Sequence, residues 1–232
     1  MRLTTKPNRS GALTRVEVLV VVAILLLFAA AFMVMLHKNR ESGAHAARIK
    51  CVGNNKQIGL AFRVFAYDND DKFPYAAPKH SMFGNETDAW KYFVSMSNEL
   101  GSAKILMCPT DLERRKNMSV DCSSNSAPAS LGLQFTRNSG VSYFIGLDAD
   151  ETRPGMLLLG DRNIETNAWN YRAPLLTVPK ARLTLWTGEL HGNCGNVTLA
   201  DGSGQWRDSP SLDQQLHPGG LLTNRLLIPV VP

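Results

Sequence analysis

From Val18 to Leu36 the chain carries nineteen consecutive apolar residues with no polar stripe, and this block restricts the possible folds more than any other feature. At 1.5 Å per residue such a helix covers roughly 28 Å, close to the ~30 Å hydrocarbon core of a bilayer. A core helix of a soluble domain pairs an apolar face with a polar one; this segment does not. A secretory signal peptide competes, but its apolar region is only ~7 to 15 residues long and ends at a small-residue cleavage site. Here the run is longer and leads into further helix, although Ala29 to Ala31 imitates such a site. A plain uncleaved signal anchor is the other alternative.

The formal net charge of the 232 residues is +5. Arg2, Lys6 and Arg9 supply three of those charges, and from His37 onward 21 Lys and Arg face 19 Asp and Glu with both signs interspersed. No basic stripe tracks a phosphate backbone, so the charge excludes a nucleic-acid partner as the reading and leaves a topology signal at the N-terminus. Lys and Arg flank the block on both sides, so the positive-inside count alone decides orientation weakly. An N-terminus on the inside is favoured because the large C-terminal part is then exported.

Two ionisable residues sit at the mouth of the block. Arg15 can snorkel toward headgroups. Glu17 is shorter and needs a partner, which makes it a functional-site candidate; the competing reading is that it marks the interface.

The segment Gly11-Ala-Leu-Thr-Arg-Val-Glu-Val-Leu-Val-Val-Val-Ala-Ile24, preceded by a short basic leader, resembles the processing signal of type IV pilins and type II secretion pseudopilins. The resemblance implies a prepilin peptidase that cuts on the cytoplasmic side and methylates the new N-terminus. Aligning the glutamate puts the cut between Ala12 and Leu13, with Glu17 fifth in the mature chain; a cut after Gly11 would make it sixth. The chain departs from the pattern in carrying Ala12 where glycine is usual and Arg15 where an apolar residue is usual. Among packed apolar helices a buried carboxylate can be compensated by the new α-amino group of its own or a neighbouring subunit. Because leaving either partner alone is costly, such a pair sets axial register.

Further stretches carry the same resemblance. Arg48 to Pro74, which contains C-V-G-N-N-K-Q-I-G-L-A and ends in K-F-P, is similar to the helix and following turn of a pseudopilin subgroup whose pattern runs C-x-N-N-L-K-Q-I-G-L-A and ends near a K-F-P. His191, nine residues and then Asp201-Gly202 match that group's H-x9-D-G element. Leu106 to Asp111 (L-M-C-P-T-D) and Leu158 to Ile164 (L-L-G-D-R-N-I) also look like it. The resemblance implies an α+β, type IV pilin-like fold, in which a long N-terminal helix, transmembrane and then amphipathic, packs on a small antiparallel sheet.

The expected organisation is a leader at 1–12, a transmembrane and assembly helix at 13–36, the periplasmic half of the long helix at 37–72, and an α+β head at 73–232. In the second half of the helix Ala47, Cys51, Ile58, Phe62 and Phe65 recur at helical spacing. Gly53 and Gly59 each cost ~1 kcal/mol against alanine, allowing a bend, and Asp68 to Asp71 with Pro74 end the helix near Tyr67. Trp90 to Leu100 reads as a short helix with Asp88 as N-cap. Strands are expected at Val141–Ile145, Met156–Leu159, Arg182–Trp186, Asn196–Ala200 and Ser203–Arg207. The last two form a hairpin element at 191–207, turned by Asp201-Gly202 in a type I′ geometry. Lys116 to Gly140 reads as a surface loop, and Leu221 to Pro232 as an apolar tail.

His191, Asp201 and Gly202 are expected to be structural, His191 bonding the backbone or the turn, since no nucleophile or metalloprotease motif accompanies them. No catalytic residue is assigned and the chain is read as a non-enzyme. Cys51, Cys108, Cys122 and Cys194 all follow the membrane block, where an oxidising compartment would favour disulfides. Four cysteines allow three pairings, of which Cys108 with Cys122, enclosing thirteen residues, is the one expected. Zinc on Cys108, Cys122, Cys194 and His191 lacks C-x2-C spacing. Weak Ca2+ candidates are Asp148, Asp150 and Glu151, and separately Asp68, Asp70 and Asp71; neither group has EF-hand spacing, and solvated turns are preferred.

The resulting expectation is a pseudopilin-like subunit of a bacterial inner membrane, single-pass, with a cytoplasmic N-terminus and a periplasmic head. Its partners would be the prepilin peptidase and other pseudopilin subunits. The alternative is a membrane-anchored, extracytoplasmic, carbohydrate-directed binding protein that does not polymerise and stacks sugars on Trp90, Trp169, Tyr171 or Trp206.

Overall fold

The computed structural model describes residues 14–77, 88–118, 137–166 and 173–231. Helix α1 spans Arg15–Tyr67, 53 residues without interruption. Thr14 and Glu17 start it as a reciprocal cap: the Glu17 carboxylate accepts from the Thr14 N–H at 2.7 Å, and the Glu17 N–H donates to Thr14 Oγ1 at 3.3 Å. Its end lies where the aspartate run predicts, with Asp70 and Asp71 both at φ +56°. Such left-handed residues cannot continue a helix. The expected bend at the glycines does not interrupt α1.

The chain divides into two compact units, Met1–His45 and Ala46–Pro232. In the first, Arg15–Met35 is long and apolar enough to cross a membrane, and none of it is buried within the chain.

In the second unit the remainder of α1 is followed by α2 (Ala89–Ser95), α3 (Ser97–Leu100), α4 (Leu112–Met118), β1 (Tyr143–Gly146), β2 (Leu157–Asp161), β3 (Ile164–Thr166), β4 (Leu175–Pro179), β5 (Thr184–Trp186), α5 (Gly188–His191), β6 (Cys194–Leu199), β7 (Gly204–Asp208), α6 (Ser209–Leu216) and β8 (Thr223–Leu227). Six strands form one antiparallel sheet in the order β4-β8-β1-β2-β6-β7, and β3 pairs with β5 apart from it. The class is therefore α+β.

Strand alternation explains the layers. Tyr143 and Ile145 of β1 pack in one buried cluster with Cys51, Ile58, Phe62 and Phe65 of α1 and Phe93 of α2. Phe144, between them, joins the opposite cluster with Val197, Leu226, Trp186 of β5 and Leu212 and Leu216 of α6. The sheet is thus covered on both faces. A register shift in β2 between Leu157 and Leu159 places Leu158 and Leu159 in the same cluster, as a bulge permits.

Two expectations change. The predicted helix from Trp90 is broken in two at Met96, and Asp88 precedes it without a side-chain cap bond; its carboxylate pairs with Lys91 at 3.4 Å. The supposed C-terminal tail contains β8, which lies inside the sheet between β4 and β1. Pro229 falls after the strand, where no ladder hydrogen bond is lost.

Candidate functional site

The processing residues Gly11, Ala12 and Leu13 lie outside the described residues, as do Cys122, Trp169 and Tyr171. Glu17 is described, and in the single chain its carboxylate is satisfied by Thr14 through the backbone N–H and, at 3.0 Å, the hydroxyl. The partner that sequence reasoning required is therefore local.

The hairpin at Asp201-Gly202 forms between β6 and β7, but not as a type I′ turn. Only Gly202 has positive φ, at +82°. The Gly202 N–H donates to Leu199 O and the Leu199 N–H to Ser203 O, which makes a three-residue loop with glycine at its left-handed position. Asp201 Oδ1 accepts from the Ser203 N–H at 2.8 Å; its bonding with Ser203 is the main reason its carboxyl sits below the ordinary value. Arg63 of α1 donates to the Asp201 carbonyl at 3.0 Å, tying the helix to the turn.

His191 does not use Asp201. It closes the one-turn helix α5, and its side chain is 1% exposed. Nε2 lies 3.3 Å from Asp161 Oδ2, 3.5 Å from Cys108 Sγ and 3.2 Å from Asn196 Nδ2, while Nδ1 lies 3.5 Å from Thr110 Oγ1. Asp161, at the end of β2, accepts from the Asn196 backbone N–H at 2.6 Å, from Asn196 Nδ2 at 2.9 Å and from Asn55 Nδ2 at 3.4 Å. The sequence leads one to expect His191 to bond the backbone or the turn; its partners are instead side chains of three other segments, Asp161, Cys108 with Thr110, and Asn196.

The disulfide is also different. Cys108 is bonded to Cys51, 57 residues away, and not to Cys122. Proximity in sequence favoured the short loop; the fold places Cys51, one face of α1, directly against the segment before α4. The Cys51 Sγ lies 3.6 Å from the Tyr143 hydroxyl, which burial and then the Asp161 charge hold well above its ordinary pKa. Cys194 is free. Of the zinc set considered from sequence, Cys122 lies outside the described residues, and Cys194 does not join Cys108 and His191 in the group that is gathered. Among the described residues the group gathered is Cys51, Cys108, Asp161 and His191, all buried, with their ligand atoms within 4.8 Å of one another.

Beside this cluster Asp111 anchors an ionic network. Arg162 reaches both its oxygens at 2.9 Å, and Ser142 donates to it at 2.8 Å. Arg162 also holds Glu113 at 2.9 Å and Glu189 at 3.0 Å. Arg114, buried below the network, donates to the carbonyls of Asn138, Val141 and Pro229, joining three segments.

Of the two groups of calcium candidates, the one after β1 is engaged by other partners. Asp148 accepts from the Arg225 side chain at 2.6 and 2.9 Å, Asp150 from the Thr152 N–H at 2.8 Å, and Glu151 from Arg63 at 3.4 Å. The described aromatic candidates carry cations: Arg48 lies 4.7 Å from the Trp206 ring centre, and Lys91 and Arg137 lie 5.9 and 5.8 Å from that of Trp90.

Cys51, Asp161 and Asn196 were not singled out from sequence as members of a site. A signal was nevertheless present. L-M-C-P-T-D supplies Cys108, Thr110 and Asp111; L-L-G-D-R-N-I supplies Asp161 and Arg162; the second half of α1 supplies Cys51 and Asn55; and the segment after His191 supplies Asn196. The stretches that carry the resemblance converge on this one buried place. In comparisons with known proteins, no family model, curated protein or solved structure matched the chain.

Proposed function

We propose that the chain is a pseudopilin-like structural subunit, held in a bacterial inner membrane by the first part of α1 with its head in the periplasm. A prepilin peptidase trims it, and it assembles through α1 into a filament of the type II secretion or type IV pilus kind. The observation that carries this reading is that one helix has two characters. Its Arg15–Met35 part is apolar beyond Glu17 and is left uncovered by the chain, whereas its later part supplies Cys51, Ile58, Phe62 and Phe65 to the core of an α+β unit. The pilin-like signal around Glu17 supports the same reading.

Glu17 would exchange partners on assembly. In the unassembled chain it caps its own helix through Thr14; in a filament a neighbouring α-amino group would take those lone pairs, and the loss of either partner in hydrocarbon is costly. Mass spectrometry of the membrane-associated protein should give an N-terminus at methylated Leu13 or one residue earlier. Crosslinking in membranes should give multimers that Glu17→Ala abolishes while Thr14→Ala preserves them. An intact Met1 contradicts the reading, and processing without multimers favours the anchored binding protein instead.

A further inference from the structure

The disulfide stands in unusual company for a purely mechanical link. Within 4.8 Å of one another are two sulfurs, the Nε2 of His191 and a carboxylate oxygen of Asp161. These are the donor types of zinc sites, and a tetrahedral ion with bonds of ~2.0 to 2.3 Å sets its ligand atoms roughly 3.3 to 3.8 Å apart. Two of the edges already have that length: Cys108 Sγ to His191 Nε2 is 3.5 Å, and His191 Nε2 to Asp161 Oδ2 is 3.3 Å.

The surroundings are those of an oriented ligand set. Thr110 Oγ1 lies 3.5 Å from His191 Nδ1; with the proton on Nδ1 donated to it, the Nε2 lone pair is turned to the cluster, as in an oriented histidine ligand. Asp161 is fixed by Asn196 and Asn55, and the Oδ1 atoms of both asparagines are buried without a partner. Among the described residues no lysine or arginine pairs with Asp161; its ion-pair contact is His191. A buried carboxylate in such a place lacks a full cationic partner, which a divalent ion supplies.

We propose that Cys51, Cys108, His191 and Asp161 form a zinc site in the dithiol state of the chain, and that zinc and the disulfide are mutually exclusive. In the dithiol state both thiols lose their protons to solvent and the two thiolates bind Zn2+. A disulfide-bearing oxidant reverses this: two electrons pass from the thiolates to the oxidant, which leaves as two thiols after taking up two protons, the Cys51–Cys108 bond forms, and Zn2+ departs. Either state fastens α1 to the segment before α4, and zinc adds β2 and α5 to the same clamp. A chain not yet oxidised would thereby keep these two sulfurs from pairing with Cys122 or Cys194. The proposal does not depend on filament assembly.

The full chain, purified in detergent micelles and freed of metal, is compared in two forms. One keeps its disulfide; the other is reduced anaerobically by a water-soluble phosphine, which takes up the oxygen of water as phosphine oxide and leaves two thiols. Against a chromophoric chelator the reduced chain should hold one Zn2+ per chain and the oxidised chain none. Co2+ in its place should show thiolate charge-transfer absorption and the visible bands of a tetrahedral site. Peptide mapping after iodoacetamide should find Cys51 and Cys108 alkylated without Zn2+ and protected with it. His191→Gln should weaken Zn2+ about tenfold or more, whereas Cys194→Ser and Cys122→Ser should bind as the parent does. If reduction loosens the fold, Zn2+ should restore the far-ultraviolet circular dichroism. A reduced chain that takes up no Zn2+, uptake that survives Cys51→Ser with Cys108→Ser, or equal uptake by the oxidised chain overturns the proposal.

Discussion

At Asp111 burial and charge pull in opposite directions. Burial alone pushes its carboxyl up; the hydrogen bonds and charge of Arg162, with Ser142 and Arg114, more than offset this and hold it below the ordinary value of 3.8. A carboxyl depressed in the folded state contributes stability above its unfolded pKa, and that contribution is lost as pH falls through the folded one. Asp111→Asn should therefore lower stability at neutral pH by about 3 kcal/mol, because Arg162 and Arg114 lose a buried counter-charge. It should also flatten the acid limb of the stability profile, followed by denaturant melts between neutral and acid pH. A variant whose acid limb matches the parent's would show that the network does not set acid sensitivity. Sequence showed Asp111 inside a recognisable stretch, but its importance arises from arginines 3 and 51 residues away, which only folding brings to it.

At the scale of elements, the contact between α1 and β6 depends on the absence of one carbon. A Cβ on Gly59 would lie 2.5 Å from Thr198 Cγ2, and Thr198 is fully buried. The helix therefore approaches the sheet at this glycine, and its loss of ~1 kcal/mol in helix propensity is offset by closer packing. Gly59→Ala should destabilise the chain by about 1 to 3 kcal/mol despite the better helix former, as overpacked sites do. Thr198→Ser, which deletes the offending methyl, should recover most of that loss in a double-mutant cycle read by thermal unfolding. Additive effects of the two substitutions would contradict the contact. From sequence alone the same glycine predicted a bend, because propensity counts the backbone and not what packs against it. The C-terminal strand β8 was misjudged for a similar reason. Its two buried leucines, Leu226 and Leu227, follow polar residues in a proline-bounded segment, and the ladder that makes them a strand belongs to β1 and β4.

For the whole molecule, the Cys51–Cys108 link joins α1 to the polypeptide that follows the second helical region across 57 residues. Closing a loop of that length restricts the unfolded chain, and its removal typically costs 2 to 5 kcal/mol. Cys51→Ser, Cys108→Ser and the double variant should all lower the melting temperature by similar amounts, whereas Cys122→Ser should leave it unchanged. Peptide mapping of the unreduced protein should recover Cys51 joined to Cys108. A Cys108–Cys122 peptide would restore the short-loop pairing.

Sequence by itself determined the membrane-length helix, its end near Tyr67, the α+β class and the hairpin at Asp201-Gly202. These are local properties: apolar run length, helical and strand periodicity and turn chemistry act over neighbouring residues. Tertiary structure alone decided which cysteine Cys108 meets, that His191 turns to Asp161 and not to Asp201, that Gly59 is a contact and that the C-terminal segment is a central strand. Each of these is a meeting of residues from distant parts of the chain, set by how two apolar faces of one sheet are covered, and no local pattern records it.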